Sequence, residues 1–208
     1  APREPNPIQD PYPQVFQGGN SQAAREMAAR HADVLFINGG SLQEIRAVID
    51  DVEEYAAEFG TEPPRFAANA FVIQRDTEAE AKEVLEGIIE NATDEAVDAF
   101  KDQVKEAGQS SEEGEGMWAD SDFEDLVQYN DGFKTGLIGT DDQIVERIRK
   151  LDAIGIDIVL AGFLDFEKEL ERFGETIIPA IDEADPLDPE AVDAVDEIEE
   201  IGGAKVAR

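Results

Sequence analysis

The sequence has no cysteine, so neither disulfides nor thiolate metal ligands are available to it. It has one histidine, His31, which leaves a histidine metal site or a nucleophile–histidine triad short of parts. His31 stands at a helix end beside Asp33, where a favourable contact with the helix dipole is a sufficient role. No apolar run approaches the roughly 18 residues that span a bilayer. The opening residues, Ala1-Pro2-Arg3-Glu4-Pro5, hold neither an initiator methionine nor the apolar stretch of a secretory signal. A processed start and a piece of a longer chain are both compatible with them.

Positive charge is the scarcest resource. Against 50 Asp+Glu stand 17 Lys+Arg, a formal net charge of −33. Nucleic acid is excluded as a direct partner, because phosphate binding needs clustered cations, and an anionic membrane surface would repel the chain. The acid excess is spread along the whole sequence instead of forming one tail. Such a surface repels itself at ordinary ionic strength and is well screened only in molar salt, where the Debye length falls to ~3 Å. The expectation is a cytoplasmic protein of a high-salt cell; an acidic protein of an ordinary cell is the alternative.

What is present is enough for a core. Hydrophobic residues make up 41% of the chain and include 11 Phe, so wholesale disorder is not expected and the length suits one domain. Residues 1–13 are proline-rich and read as an extended lead-in. Gln14 to Gln17 is a short strand ending at Gly18-Gly19, and Asn20 or Ser21 can cap a helix through Met27 and Ala28. Asp33 to Ile37 reads as a strand buried on both faces. Ser41 and Glu44 form a capping box for a helix that Gly60 ends.

Phe66 to Ile73 is the next strand, Asp76-Thr77 opens a helix, and an acidic helix spans about Asp94 to Glu106. Residues 108–136 are long, polar and punctuated by aromatics, which favours a lid over a plain connector. Thr140 caps a helix ending at Gly155, Ile156 to Leu160 is the fourth strand, and Asp165 opens a helix to about Ile181. Residues 182–208 read as an acidic tail, a solvated helix or disorder.

Strands alternating with helices four times give a parallel α/β architecture. Four β/α units are too few to close a barrel, so residues 14–181 are expected to form a β/α half-barrel with unpaired edges; a complete four-stranded open sheet is the alternative. In such folds ligands sit at the carboxyl ends of the strands. There lie Gly18-Gly19-Asn20-Ser21, Asn38-Gly39-Gly40, Asn69 with Phe71, and Gly162-Phe163. The first combines glycines for close approach with free amides, a hydroxyl and the positive end of a helix: it is either a phosphate cradle or a capped turn. Asn38-Gly39-Gly40 reads as a plain turn. Asn69, an amide in an apolar run, faces a ligand or ties a neighbouring strand.

Several motifs in order carry a resemblance: Phe16-Gln17-Gly18-Gly19-Asn20-Ser21 with Ala23-Ala24-Arg25, then Asn69-Ala70-Phe71-Val72-Ile73, Met117-Trp118-Ala119, Phe123-Glu124-Asp125-Leu126-Val127 and Thr135-Gly136-Leu137-Ile138-Gly139-Thr140. Together, from about Pro13 to Pro179, they resemble the luciferase-like flavin monooxygenases, most of all the branch that oxidises small organosulfur compounds. The resemblance implies a complete eight-stranded TIM-type barrel of which this chain matches the second half. It further implies reduced FMN supplied by a separate flavin reductase, molecular oxygen, and a small organosulfur substrate such as dimethyl sulfone. By resemblance Gly18, Gly19, Asn20 and Ser21 hold the FMN phosphate. Asn69 and Phe71 stand where alkanesulfonate-oxidising relatives place an Arg and a His, a change that suits a neutral substrate over an anionic one.

Asn69, Tyr129, Asn130 and Lys134 are the catalytic candidates, and Phe71, Trp118 and Phe163 the pocket walls, with lid packing as the alternative role of Trp118 and Phe163. A deazaflavin-dependent oxidoreductase and a non-catalytic flavin-binding half-barrel are the rival readings. A lone half should not turn over; an N-terminal half-barrel or a second copy is the expected partner.

Overall fold

Hydroxyl residues set the helix starts. Ser21, Ser41, Thr77 and Thr140 each accept a backbone N–H of the following turn, and the last three form complete capping boxes with Glu44, Glu80 and Gln143. Each cap is worth about 1 kcal/mol. The computed structural model describes residues 8–10, 12–92, 132–190, 192, 196–201 and 204–208. The helix expected near 94–106 and most of the expected lid, with Trp118, Tyr129 and Asn130, lie outside the described residues.

In chain order come β1 (Phe16–Gly18), α1 (Gln22–His31), β2 (Val34–Ile37), α2 (Leu42–Phe59), β3 (Arg65–Gln74), α3 (Glu78–Glu90), a 3₁₀ turn (Phe133–Thr135) and β4 (Ile138–Gly139). Then follow α4 (Asp141–Ala153), β5 (Ile158–Phe163), α5 (Phe166–Glu183), β6 (Ile198–Ile201) and β7 (Ala204–Ala207). The main sheet is parallel: β1 pairs β2, β2 pairs β3, and β3 pairs β5 through Ala67↔Ile158 to Val72↔Phe163. Among the described residues β1 and β5 are its outer strands.

The short β4 was not expected. It extends β3 past the end of β2 on the same edge: the odd-numbered amides of β3 point one way, Arg65 to the Asp33 carbonyl and Phe71, Ile73 and Arg75 to those of Gly132, Leu137 and Gly139.

Register divides the sheet into two faces. Leu35, Ile37, Phe66, Ala68, Ala70 and Val72 point into the main core, against Ile45, Ile49 and Val52 of α2, Ile144 and Leu151 of α4, and Ile177 of α5. The opposite face carries Phe16, Gly18, Phe36, Ala67, Asn69, Phe71, Leu160 and Gly162. Phe16 and Leu160 are exposed there, while Phe36, Asn69 and Phe71 are half-buried. A second cluster closes that face only beyond Phe71, where Ile73 meets Ala81 and Leu85 of α3, Phe133, Ile138, Ile201 and Val206.

The acidic end of the chain is corrected by the structure. Glu197–Ile201 and Ala204–Arg208 do not form a solvated helix: β6 and β7 pair as an antiparallel hairpin, Ile198↔Ala207 to Ile201↔Ala204. Ile201, Ala204, Val206 and Ala207 are buried. Burying those apolar side chains, at about 25 cal/mol per Å², outweighs the repulsion of acids that face outward.

Candidate functional site

At the tip of β1 the chain turns through Gly18 and Gly19 into α1. Gly19 has φ +129° and a Cβ there would lie 2.8 Å from that of Ala24, so the turn requires glycine. A Cβ on Gly18 would meet only the Phe36 carbonyl, at 4.0 Å, and Gly18, Gly19, Asn20 and Ser21 are all exposed. The Ser21 hydroxyl caps the helix, accepting the Ala24 N–H at 3.3 Å. The Gln22 and Ala23 amides, beyond reach of any helical carbonyl, stay at the positive end of the helix. Arg25 is the residue the sequence reading left out of the site. Its guanidinium donates to the Asn20 side chain at 2.8 Å and to the Asn20 carbonyl at 3.1 Å, and it pairs with Asp51. A rare cation is thereby held over the turn.

A second group of residues meets where the end of β2 faces the middle of β3: Asn69 and Phe71, expected at a strand's carboxyl end, lie within β3, which runs on to Gln74 and pairs β4 at Ile73 and Gln74. Asn38 follows Ile37 and Asn69 follows Ala68, a registered pair, which brings the two asparagines onto adjacent strands at the same level. Gly39 passes so close that a Cβ would lie 2.7 Å from the Asn69 carbonyl and 2.5 Å from Thr135 Oγ1. The segment read as a plain turn is therefore a close contact between the end of β2 and the middle of β3. The Thr135 hydroxyl donates to the Asn69 carbonyl at 2.7 Å and accepts the Gly40 N–H at 3.3 Å. Phe71 N–H donates to the Gly132 carbonyl at 3.3 Å, and the Phe71 and Phe133 rings stand 4.6 Å apart.

Lys134 is nearly buried and donates to Glu44 Oε1 at 2.5 Å. The other oxygen of Glu44 accepts the Ser41 N–H and hydroxyl, both at 2.9 Å. Burial alone would raise the proton affinity of the Glu44 carboxyl, but the Lys134 ammonium and the Ser41 donors outweigh it and hold the group below its ordinary value. Lys134 is thus an ammonium neutralised by a carboxylate, a poor candidate for proton abstraction and a good strut.

Phe163 lies elsewhere. Its register partner is Val72, on the helix-covered face, and its ring packs edge-on at 5.6 Å from Phe173 and 6.4 Å from Phe166. It therefore stands on the other side of the sheet from Asn69, a parity fixed only by the β3–β5 register. Phe36 of β2 and Leu160 of β5 are the strand-borne apolar residues that share the face of Asn69 and Phe71. A cleft of about 410 Å³ lined by Ile148, Val159, Phe173 and Ile181 also opens on the helix-covered side, away from the glycine pair.

A parallel sheet of strands alternating with helices, with an exposed glycine turn between β1 and α1, defines a β/α fold of the barrel type. The chain belongs to the luciferase-like monooxygenase family, whose model matches residues 1–157. It is 54% identical over 182 residues to the FMNH(2)-dependent dimethylsulfone monooxygenase of Pseudomonas putida, covering 88% of this chain and 50% of that protein. With the enzyme of the same description from Pseudomonas fluorescens (strain Pf0-1) it shares 56% over 173 residues, 83% of this chain and 47% of the other. The chain spans about half the length of the curated relatives it matches.

Solved structures share the fold. A long-chain alkane monooxygenase (LadA) superposes with TM-score 0.63 at 21% identity, over 82% of this chain and 41% of its own. DmoA from Hyphomicrobium sulfonivorans gives 0.61 at 20%, over 84% and 43%.

Proposed function

We propose that this chain is the flavin-phosphate-binding half of a reduced-FMN-dependent, two-component monooxygenase for a small neutral organosulfur compound such as dimethyl sulfone. The observation that carries the reading is the exposed Gly18-Gly19 turn at the tip of β1, set against the positive end of α1 with Arg25 over it. The relatives' dependence on reduced FMN and dimethylsulfone supports the cofactor and substrate.

The residues present fit such a cofactor. The two glycines leave backbone amides uncovered, the first turn of α1 carries no acidic residue, and Arg25 is held at the turn by Asn20 and Asp51. Bound reduced FMN would supply the electrons that activate molecular oxygen. The protein's own part is to grip the phosphate with the Gly19–Ala23 amides and Ser21, and to offer the substrate an apolar floor of Phe36, Phe71 and Leu160. Asn69 presents an amide beside it, suited to a dipolar oxygen and not to a full negative charge. Lys134, paired with Glu44, adds no free cation that would select a sulfonate. Tyr129, Asn130 and Trp118 remain proposed lid residues. A flavin reductase, an N-terminal half-barrel or second copy, and a high-salt cytoplasm complete the proposal; the isolated half is expected not to turn over.

Titrating the chain in molar KCl with FMN and with riboflavin, followed by flavin fluorescence, tests the reading. FMN should bind at least ~10-fold more tightly than riboflavin, and Arg25→Ala or Ser21→Ala should erase most of that difference. Equal binding of the two, no binding, or preference for a deazaflavin overturns it.

A further inference from the structure

The most buried ion pair among the described residues ties α4 to the segment whose composition marks it as solvated. Arg147 of α4 and Asp196, just before β6, have side chains 4% and 2% exposed, joined by hydrogen bonds of 2.6 and 3.0 Å. Removing one member of such a pair strands the other charge in a low dielectric, so the geometry is strongly held. Both members reach further. Arg147 Nε–H donates to the Thr135 carbonyl at 2.7 Å, while Asp196 Oδ2 accepts the Leu42 N–H at 2.6 Å. The Asp196 N–H donates to the Gln43 side chain at 2.8 Å. Along the hairpin, Arg208 donates to the Ile138 carbonyl at 2.6 Å, and Lys82 of α3 pairs with Glu199 at 2.6 Å.

We infer that Asp196 is a positioning residue for the site on β3: through Arg147 the hairpin of β6 and β7 clasps the Gly132–Thr135 turn, and that turn sets Asn69, Phe71 and Lys134. The turn cannot fix itself, because its internal support is two bonds of 3.1 Å, Thr135 N–H to the Gly132 carbonyl and Gly136 N–H to that of Phe133. Besides anchoring Phe133 in the second apolar cluster, the turn supports the site: the Asn69 carbonyl is held by Thr135, the Phe71 amide by Gly132, the Phe71 ring stands against Phe133, and Lys134 lies between Phe133 and Thr135 in the turn. Turn and hairpin cannot slide past each other either, since a single added carbon on Gly136 would collide with the Ala207 carbonyl. Asp196 touches none of the residues proposed to meet substrate. It acts on them through Arg147 and Thr135. The inference rests on the proposed function only for what the site binds.

The test uses the whole chain in molar KCl as wild type, Asp196→Asn, Asp196→Glu and, on the exposed side of the hairpin, Glu200→Gln. Amide exchange read by NMR should rise about tenfold or more at Phe71 and Gly40 in Asp196→Asn while Ala68, on the β5 side of β3, stays within about twofold. Asp196→Glu should recover part of the protection, and Glu200→Gln should match wild type. Dimethyl sulfone titrated against the Asn69 side-chain amide signal should bind at least about fivefold more weakly to Asp196→Asn. A uniform rise across the sheet makes Asp196 a general stabiliser and overturns the inference; so does no change at Phe71. If no protein responds to the sulfone, the substrate reading fails and the exchange pattern still decides the clasp. Should Asp196→Asn not fold, Arg147→Lys, which keeps the charge but cannot bridge Asp196 and Thr135 at once, gives the same readouts.

Discussion

Two glycines of the same backbone conformation show how a residue's surroundings decide its cost. Gly60 and Gly132 have φ +68° and +71°, but a Cβ on Gly60 would meet nothing within 4 Å, whereas on Gly132 it would lie 2.8 Å from Ala70 Cα. Gly60→Ala should therefore cost only the left-handed strain, about 1 kcal/mol, and Gly132→Ala at least twice that, because β3 must move. Urea unfolding in constant KCl measures both; equal losses would mean that the turn does not press on β3. Charge obeys the same rule. The Glu44 carboxyl is held below its ordinary value in the folded chain, so its contribution is complete above the unfolded carboxylate value of about 4.3 and is lost as pH falls through the lower folded value. In Lys134→Met the burial that favours the protonated form loses its main opponent, and the Glu44 side-chain NMR titration should move upward. An unmoved midpoint would show that Lys134 does not hold the carboxylate.

Among the elements, those whose cause is local were legible in the sequence. The Ser41–Glu44, Thr77 and Thr140 starts were readable because a cap needs only residues a turn apart. The glycine turn after β1 was readable for the same reason. β4 and the hairpin were not, since strands of 2 and 4 residues owe their existence to partners far along the chain. Lys134 was singled out as a candidate, but its ion pair was not legible, because its partner Glu44 lies 90 residues away. Phe163 was expected as a pocket wall, but which side of the sheet it takes is set by its pairing with Val72, and a shift of one residue in that register would invert it. Among the described residues α5 exposes Phe166, Leu170 and Ile178, close in sequence to exposed Leu160 of β5 and Leu164 just after it. A stripe beside an unpaired strand suits another β/α unit. Leu170→Gln should lower self-association in sedimentation at high salt while leaving the thermal midpoint within about a degree or two, because an exposed leucine contributes little to the monomer. A chain that stays monomeric at every concentration would remove the second-copy form of the proposal.

For the whole molecule, charge sets the conditions under which any of this is visible. The described cations are largely engaged: Arg25 with Asp51, Arg46 with Asp50, Arg75 with Glu169, Lys82 with Glu78 and Glu199, Arg172 with Asp76 and Asp141. Pairing of this kind cannot balance the charge, because 17 Lys+Arg stand against 50 Asp+Glu. Exposed pairs are each worth about 0–1 kcal/mol and weaken in salt, whereas the unbalanced repulsion of 33 charges also weakens in salt and is the larger of the two. Salt should therefore stabilise. Raising KCl from about 0.1 M, where the Debye length is ~10 Å, to about 1 M, where it is ~3 Å, should lift the thermal midpoint by several degrees. Screening saturates over that range, so a further climb at higher KCl would come from salt excluded from the protein surface and should also follow sucrose, which carries no charge. The buried Arg147–Asp196 clasp is shielded from the ions, so in Asp196→Asn the same rise should start from a lower midpoint with an unchanged slope. A midpoint that is flat or falls across the first interval would show that the acid excess is not what limits this fold.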